Sequence, residues 1–205
     1  MFCIAVLTSN FTNRLLCLSV PPTPPLQNRP EDQLEARIQK AVQFKTEGNE
    51  YYNQRRLREA ISRYHWALMQ LRGLDPSEPA PLHAFGDEKV KLSPEQVALL
   101  RSTECDCYNN LAACLLQSEK VNYIRVRDYC LKVLDRQADN TKALYRAGVA
   151  LYYTRDYDQA LHYLSEAAKL SPNDVQVKRY LQETERCLNQ YHKREKMMYK
   201  EMFAK

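Results

Sequence analysis

Glycine and proline are too scarce in most of this chain to interrupt regular structure. Only four glycines occur among the 205 residues. The ten prolines are confined to residues 21–30, residues 76–94 and Pro172. Because glycine and proline are the residues that most often end a helix, the long stretches between them predict an all-α protein. The length suits one domain, or one domain with a tail.

Neither positive nor negative charge dominates the chain, which argues against a nucleic-acid partner. The net charge is +5, from 30 Lys and Arg against 25 Asp and Glu. Nucleic-acid-binding proteins usually concentrate their basic residues in a stripe with interleaved aromatic residues, whereas here both signs are mixed along the chain. We therefore expect no nucleic-acid partner, and the weak positive excess suits an acidic protein ligand better.

Motifs for catalysis and for metal binding are missing. There is no glycine-rich phosphate loop, no nucleophile elbow and no His-Glu-X-X-His motif, and the four histidines are scattered. The seven cysteines form no Cys-X-X-Cys pair, and we interpret them as small buried hydrophobes in a reducing cytosol. The sequence predicts no enzyme, no cofactor and no metal site; an unrecognised enzyme is the weakest alternative.

Long apolar runs are also missing from the N-terminal segment. Its two apolar runs, Phe2–Leu7 and Leu15–Val20, are too short for a signal sequence or a membrane span. The prolines at 21–25 cannot join a helix. We interpret residues 1–30 as a disordered leader, and we expect a cytoplasmic protein without membrane contact.

A helical-hairpin repeat organises the rest of the chain. Small residues recur at the same spacing in two stretches: Gly48, Ala60 and Ala67 in the first, and Gly148, Ala160 and Ala167 in the second. This is the spacing of a tetratricopeptide (TPR) unit, two antiparallel helices in about 34 residues. The small residues mark where the two helices approach most closely. The sequence therefore predicts an α-α superhelix.

The predicted organisation has three TPR units and a long C-terminal capping helix. Its segments are unit one at 38–72, an insertion at 73–93, unit two at 94–138, unit three at 139–172 and the capping helix at 173–203. We interpret the proline-rich insertion as a surface loop. Unit two should begin with a capping box at Ser93 and Gln96. The basic, methionine-bearing end of the capping helix is either a solvated overhang or a ligand for a calmodulin-like groove.

Polar side chains of the first helices are predicted to face the concave side of the superhelix. They are Lys45 and Asn49 in unit one, Asn110 in unit two, and Lys142 and Arg146 in unit three. Lys142 and Arg146 lie four residues apart and so on one helix face. Along its own helix none of the three cations has an acidic neighbour, except Lys142, which has Asp139 nearby. An unpaired basic cluster on an inward face predicts an anionic ligand.

Four stretches of the sequence resemble the tetratricopeptide repeat protein 9 family, nearest to its C-type branch. They are residues 62–65, 71–76, 106–116 and 142–150, and the resemblance spans residues 31–203. The insertion between units one and two is typical of this family.

The five polar positions also match the two-carboxylate clamp of co-chaperone TPR domains, as in the Hsp70/Hsp90 organising protein and the large immunophilins. The resemblance implies that Lys45, Asn49 and Asn110 hold a terminal carboxylate. It implies that Lys142 holds the side chain of a terminal Asp and that Arg146 holds an acceptor further upstream.

The expected function is that of a non-enzymatic, co-chaperone-like adaptor. It would recognise an acidic C-terminal peptide, the EEVD-type tail of Hsp90 or Hsp70, as a monomer and without cofactor or prolyl isomerase activity. The alternative is a cytoplasmic scaffold that binds a non-chaperone protein through the concave groove or the convex face.

Overall fold

The computed structural model describes residues 30–77 and 92–203. The predicted leader at 1–30 lies outside the described residues except for Pro30, and so does most of the predicted insertion at 73–93. Over the described ranges the chain forms seven helices and no strand. The helices are α1 (Pro30–Asn53), α2 (Leu57–Leu71), α3 (Pro94–Leu116), α4 (Tyr123–Leu134), α5 (Thr141–Tyr153), α6 (Tyr157–Leu170) and α7 (Val175–Phe203).

Consecutive helices pack in pairs, α1 with α2, α3 with α4 and α5 with α6. The second helix of each pair contacts the first helix of the next, and α6 contacts α7. The first helices also contact one another in the order α1, α3, α5, α7. This confirms the predicted α-α superhelix of three helix pairs with a long terminal helix. The boundaries of the three units stay a prediction from the sequence.

The glycines of the repeat set the distance between paired helices. A Cβ atom placed on Gly148 would lie 2.5 Å from Cγ of Leu164, and one placed on Gly48 would lie 2.6 Å from the Tyr64 ring. Real Cβ atoms do not approach other carbons this closely, so only glycine allows this packing. The small positions therefore act as the repeat pattern predicts.

The core consists of three clusters of buried residues that are joined by partly buried ones. Tyr108 and Tyr129 pack against the first and second clusters, and Leu134 and Tyr163 pack against the second and third. The cysteines at 105, 107, 114 and 130 are buried free thiols. Burial raises the pKa of Cys107 to about 12, so this thiol stays protonated and unreactive.

The predicted capping box begins α3. The Gln96 N–H donates to Ser93 Oγ at 3.2 Å, and the Ser93 N–H donates to Gln96 Oε1 at 2.9 Å. Two backbone donors that lack partners at a helix N-terminus are thereby satisfied.

Two residues near the start of the predicted surface insertion, Leu74 and Asp75, are buried, which corrects the expectation for these two positions. Asp75 pairs with Arg136 at 2.7 Å and with Arg101 at 3.2 Å, and its side chain is 3% exposed. Burial opposes its ionisation, but hydrogen bonds from Arg101 and Ser77 and the charge of Arg136 outweigh it. The pKa of Asp75 consequently lies well below its usual value.

The terminal helix α7 packs through its first half and is exposed beyond it. Val177 and Thr184 are buried, whereas Tyr191 is exposed. The last turns are helical, with Met198 and Met202 exposed. Among the helices in the described ranges, none combines the length and apolarity that crossing a lipid bilayer requires.

Candidate functional site

The first helices of the three pairs bring the five predicted polar residues onto one continuous surface. A pocket of about 370 Å³ is lined by three of them, Asn110, Lys142 and Arg146, together with Asp106, Asn109, Asn140 and Thr141. The other two, Lys45 and Asn49, come from α1 and make direct hydrogen bonds to Asp106 and Asn110. We call this surface the groove.

Two asparagines join α1 to α3 in the floor of the groove. Asn110 Nδ2 donates to Asn49 Oδ1 at 2.9 Å, and the Tyr64 hydroxyl donates to the same oxygen at 2.8 Å. Tyr64 is 1% exposed, so this second bond comes from the core. Because Asn49 Oδ1 accepts both bonds, the orientation of its amide is set, and Nδ2 of Asn49 remains a donor without a partner in the described part of the chain.

Arg146 is a half-buried cation whose hydrogen-bond partners are neutral. Its Nη1 donates to the backbone oxygen and to Oδ1 of Asn109, both at 3.2 Å. Burial lowers the pKa of Arg146, but a guanidinium keeps its charge in proteins. Within the described ranges no carboxylate forms an ion pair with it. A charge removed from water without a counter-charge is unfavourable, and an arriving anion would relieve that penalty.

Lys142 lies one turn before Arg146 in α5, and its side chain is exposed. Asp139, its only acidic neighbour along the sequence, forms no ion pair with it in the described structure. Two like charges on adjacent turns repel each other, so the N-terminal part of α5 presents unneutralised positive charge to the pocket.

The structure corrects the expectation that Lys45 is an unpaired cation. Its Nζ forms an ion pair with Oδ2 of Asp106 in α3 at 2.9 Å. Acidic neighbours along α1 do not reveal this ion pair, because Asp106 lies on α3, 61 residues later in sequence. A signal was nevertheless present, because Asp106 is four residues before Asn110 and so lies on the same helix face.

A group of tyrosines extends from α5 to α7, and sequence reasoning did not single it out. Tyr180 lies one repeat length after Arg146, at the equivalent position of α7. Its ring contacts Tyr145, Tyr152 and Tyr153, and the hydroxyls of Tyr153 and Tyr180 are 3.3 Å apart. Tyr153 lies two turns after Arg146 on the same face of α5 and is 48% exposed. An aromatic surface therefore adjoins the charged groove.

Comparison with known proteins gives the family. The chain is 49% identical over 164 residues to tetratricopeptide repeat protein 9C of Xenopus tropicalis, which covers 80% of this chain and 92% of that protein. It belongs to the tetratricopeptide repeat protein 9 family. A tetratricopeptide repeat family model also matches residues 141–174. The predicted family and fold are thereby confirmed.

Solved structures similar to this member of the tetratricopeptide repeat protein 9 family include TPR domains of an FK506-binding protein and of an Hsp90 co-chaperone. The C-terminal TPR-containing domain of an FK506-binding protein from Plasmodium falciparum has a TM-score of 0.63 at 28% identity, over 80% of this chain and 95% of that one. The Hsp90 co-chaperone Cns1 from Saccharomyces cerevisiae has a TM-score of 0.56 at 22% identity, over 81% and 45%.

A third similar structure contains a peptide. The first TPR domain of Spaghetti (RPAP3), bound to the HSP90 peptide SRMEEVD, has a TM-score of 0.54 at 19% identity, over 74% of this chain and 94% of that one. At this identity the similarity shows the fold alone. This chain therefore shares its TPR fold with domains of Hsp90 co-chaperones.

Proposed function

We propose that this protein binds an acidic C-terminal peptide in its groove through a two-carboxylate clamp. The observation that carries the proposal is Arg146, a half-buried guanidinium with neutral partners, one turn from the unpaired Lys142. Two cations on one helix face, neither of which forms an ion pair in the described structure, favour a ligand that brings more than one negative charge.

The roles follow the clamp pattern of related domains. Lys45, Asn49 and Asn110 hold the terminal carboxylate, which accepts from the lysine and from the amide donors. Lys142 holds the side chain of the terminal Asp, and Arg146 holds an acceptor further upstream. The geometry supports these roles, because the bond between Asn49 and Asn110 preorganises two of the three groups assigned to the terminal carboxylate.

The ligand we propose is the EEVD-type tail of Hsp90 or Hsp70, which would make the protein a cytoplasmic, co-chaperone-like adaptor. The SRMEEVD peptide bound by the Spaghetti TPR domain, a domain of similar fold, supports this choice. The protein acts by binding and not by catalysis.

A second candidate is a scaffold that binds a non-chaperone protein through its convex face. The side chains of Trp66 and Met69, both in α2, are 46% and 57% exposed. Tryptophan is enriched among residues that dominate the energetics of protein interfaces. This face would act independently of the groove.

Calorimetric titration with the peptide SRMEEVD tests the proposal directly. We expect a Kd of about 1 μM, which corresponds to about −8 kcal/mol, and weaker binding as salt is added. The control is the same peptide with an amidated C-terminus, which removes one carboxylate and should abolish binding. Equal binding of both peptides would reject the clamp and favour the scaffold, and Trp66→Ala would then test the convex face.

A further inference from the structure

Asp106 introduces a negative charge into a groove otherwise arranged for an anion. Its carboxylate lines the same pocket as Asn110, Lys142 and Arg146, and it forms the ion pair with Lys45 at 2.9 Å. Lys45 is the cation to which the proposed function assigns the terminal carboxylate of the peptide. In the free protein the position of that carboxylate is therefore taken by a side chain of the protein itself.

We infer that Asp106 is an affinity- and specificity-determining residue that competes with the peptide carboxylate for Lys45. This inference rests on the proposed function. A ligand with a free terminal carboxylate has to displace Asp106 from Lys45 or share the ammonium with it. A ligand with a neutral end leaves the ion pair intact. Asp106 thus reduces the preference of the groove for a ligand with a free terminal carboxylate over a ligand with a neutral end.

Exposure of the two side chains decides how strongly Asp106 competes. The Lys45 side chain is 20% exposed and the Asp106 side chain is 56% exposed. Because Asp106 keeps much of its hydration, the pair is readily opened, and ion pairs of this kind stabilise a protein only weakly. Once displaced, the exposed Asp106 carboxylate is screened by water. The competition for Lys45 therefore weakens binding and does not prevent it.

Lys45 offers a direct way to separate this competition from a general effect of charge. An ammonium has three donors and can bind two carboxylates at once, but each then shares one positive charge. If Asp106 acts through Lys45, its influence on the peptide should be largely lost when Lys45 is absent. If Asp106 acts only through the net charge of the protein, its effect on peptide affinity should persist without Lys45. Removal of a distant acidic side chain should then change the affinity equally.

The experiment is a double-mutant cycle read by calorimetric titration with SRMEEVD. The proteins are wild type, Asp106→Asn, Lys45→Ala and the double variant. We expect Asp106→Asn to tighten binding by about threefold to tenfold. In the Lys45→Ala background we expect Asp106→Asn to change the peptide affinity by less than about twofold. Asp106→Ala, which cannot accept a hydrogen bond from Lys45, should tighten binding at least as much as Asp106→Asn.

The matched control is Glu185→Gln, which makes the same change in net charge at an exposed position of α7. It should leave the affinity unchanged, and circular dichroism confirms that each variant is folded. The amidated peptide should gain nothing from Asp106→Asn.

The outcomes separate this inference from the proposed function. If wild type binds the peptide and Asp106→Asn binds it equally well or more weakly, the inference about Asp106 is wrong and the clamp is retained. Equal gains from Asp106→Asn and Glu185→Gln would also overturn it, because a general charge effect would explain them. Binding by Asp106→Asn but not by wild type would support both. Failure of every variant to bind would remove the clamp and this inference together.

Discussion

Asn110 donates a hydrogen bond from Nδ2 to Oδ1 of Asn49 at 2.9 Å, and this bond joins two helices across 61 residues of sequence. The buried Tyr64 hydroxyl donates to the same oxygen. The floor of the groove is therefore tied to the core of the first helix pair. Groups held in place before a ligand arrives lose less conformational entropy when it binds.

Replacement of Asn49 should reduce both stability and peptide binding. Asn49→Ala leaves the buried Tyr64 hydroxyl without its acceptor, which costs about 1 to 3 kcal/mol. Asn110→Ala removes a bond to the same oxygen but strands no buried group, so it should weaken binding with a smaller loss of stability. Urea unfolding and calorimetric titration of both variants check the difference, and equal losses of stability would contradict it.

Removal of either cation of α5 should weaken peptide binding without unfolding the domain. For Lys142→Ala or Arg146→Ala we expect a loss of about 2 to 5 kcal/mol, because a carboxylate of the ligand is left unpaired. Arg58→Ala is the control, since Arg58 is an exposed cation of α2. Titration at constant ionic strength measures the effect. Unchanged affinity in the Arg146 variant would refute its assigned role.

A methyl group added at the closest helix contact should destabilise the fold. Gly148→Ala places Cβ 2.5 Å from Cγ of Leu164, and the neighbouring helices have to separate or Leu164 has to leave its rotamer. Overpacking of this kind costs about 1 to 3 kcal/mol. Gln159→Ala, at an exposed position of α6, is the control and should change stability little. Chemical denaturation followed by circular dichroism measures both.

Protonation of the buried Asp75 carboxylate should lower the free energy of unfolding in acid. Because the pKa of Asp75 is lower in the folded protein than in the unfolded chain, its stabilising effect is present in full above about pH 4 and is lost as the pH falls below that value. Asp75→Asn removes the charge that Arg101 and Arg136 surround and should cost about 2 kcal/mol at neutral pH.

The difference in stability between wild type and Asp75→Asn should therefore shrink between pH 7 and pH 3. Thermal unfolding across this range measures it. Asp158→Asn, in the exposed first turn of α6, is the control for a carboxylate without a buried ion pair. A difference between Asp75→Asn and wild type that stays constant with pH would contradict the depressed pKa.

The repeat was predictable because its signal is local. The spacing of Gly48 and Gly148 to the small residues of the following helix depends only on helix geometry, and the scarcity of glycine and proline left few places for the helices to end. Register within the first helices then placed the polar side chains on one face, and the likeness to clamp-type domains indicated which of them to consider together.

The sequence by itself determined the helix pairs and the capping box at Ser93, because these follow from spacings within a few turns of one helix or helix pair. Only the tertiary structure decided that Lys45 pairs with Asp106 and that Asp75 is buried between two arginines. Those partners are far apart in sequence and lie on neighbouring helices. Their contact depends on how the helices stack, which no periodicity along a single helix records.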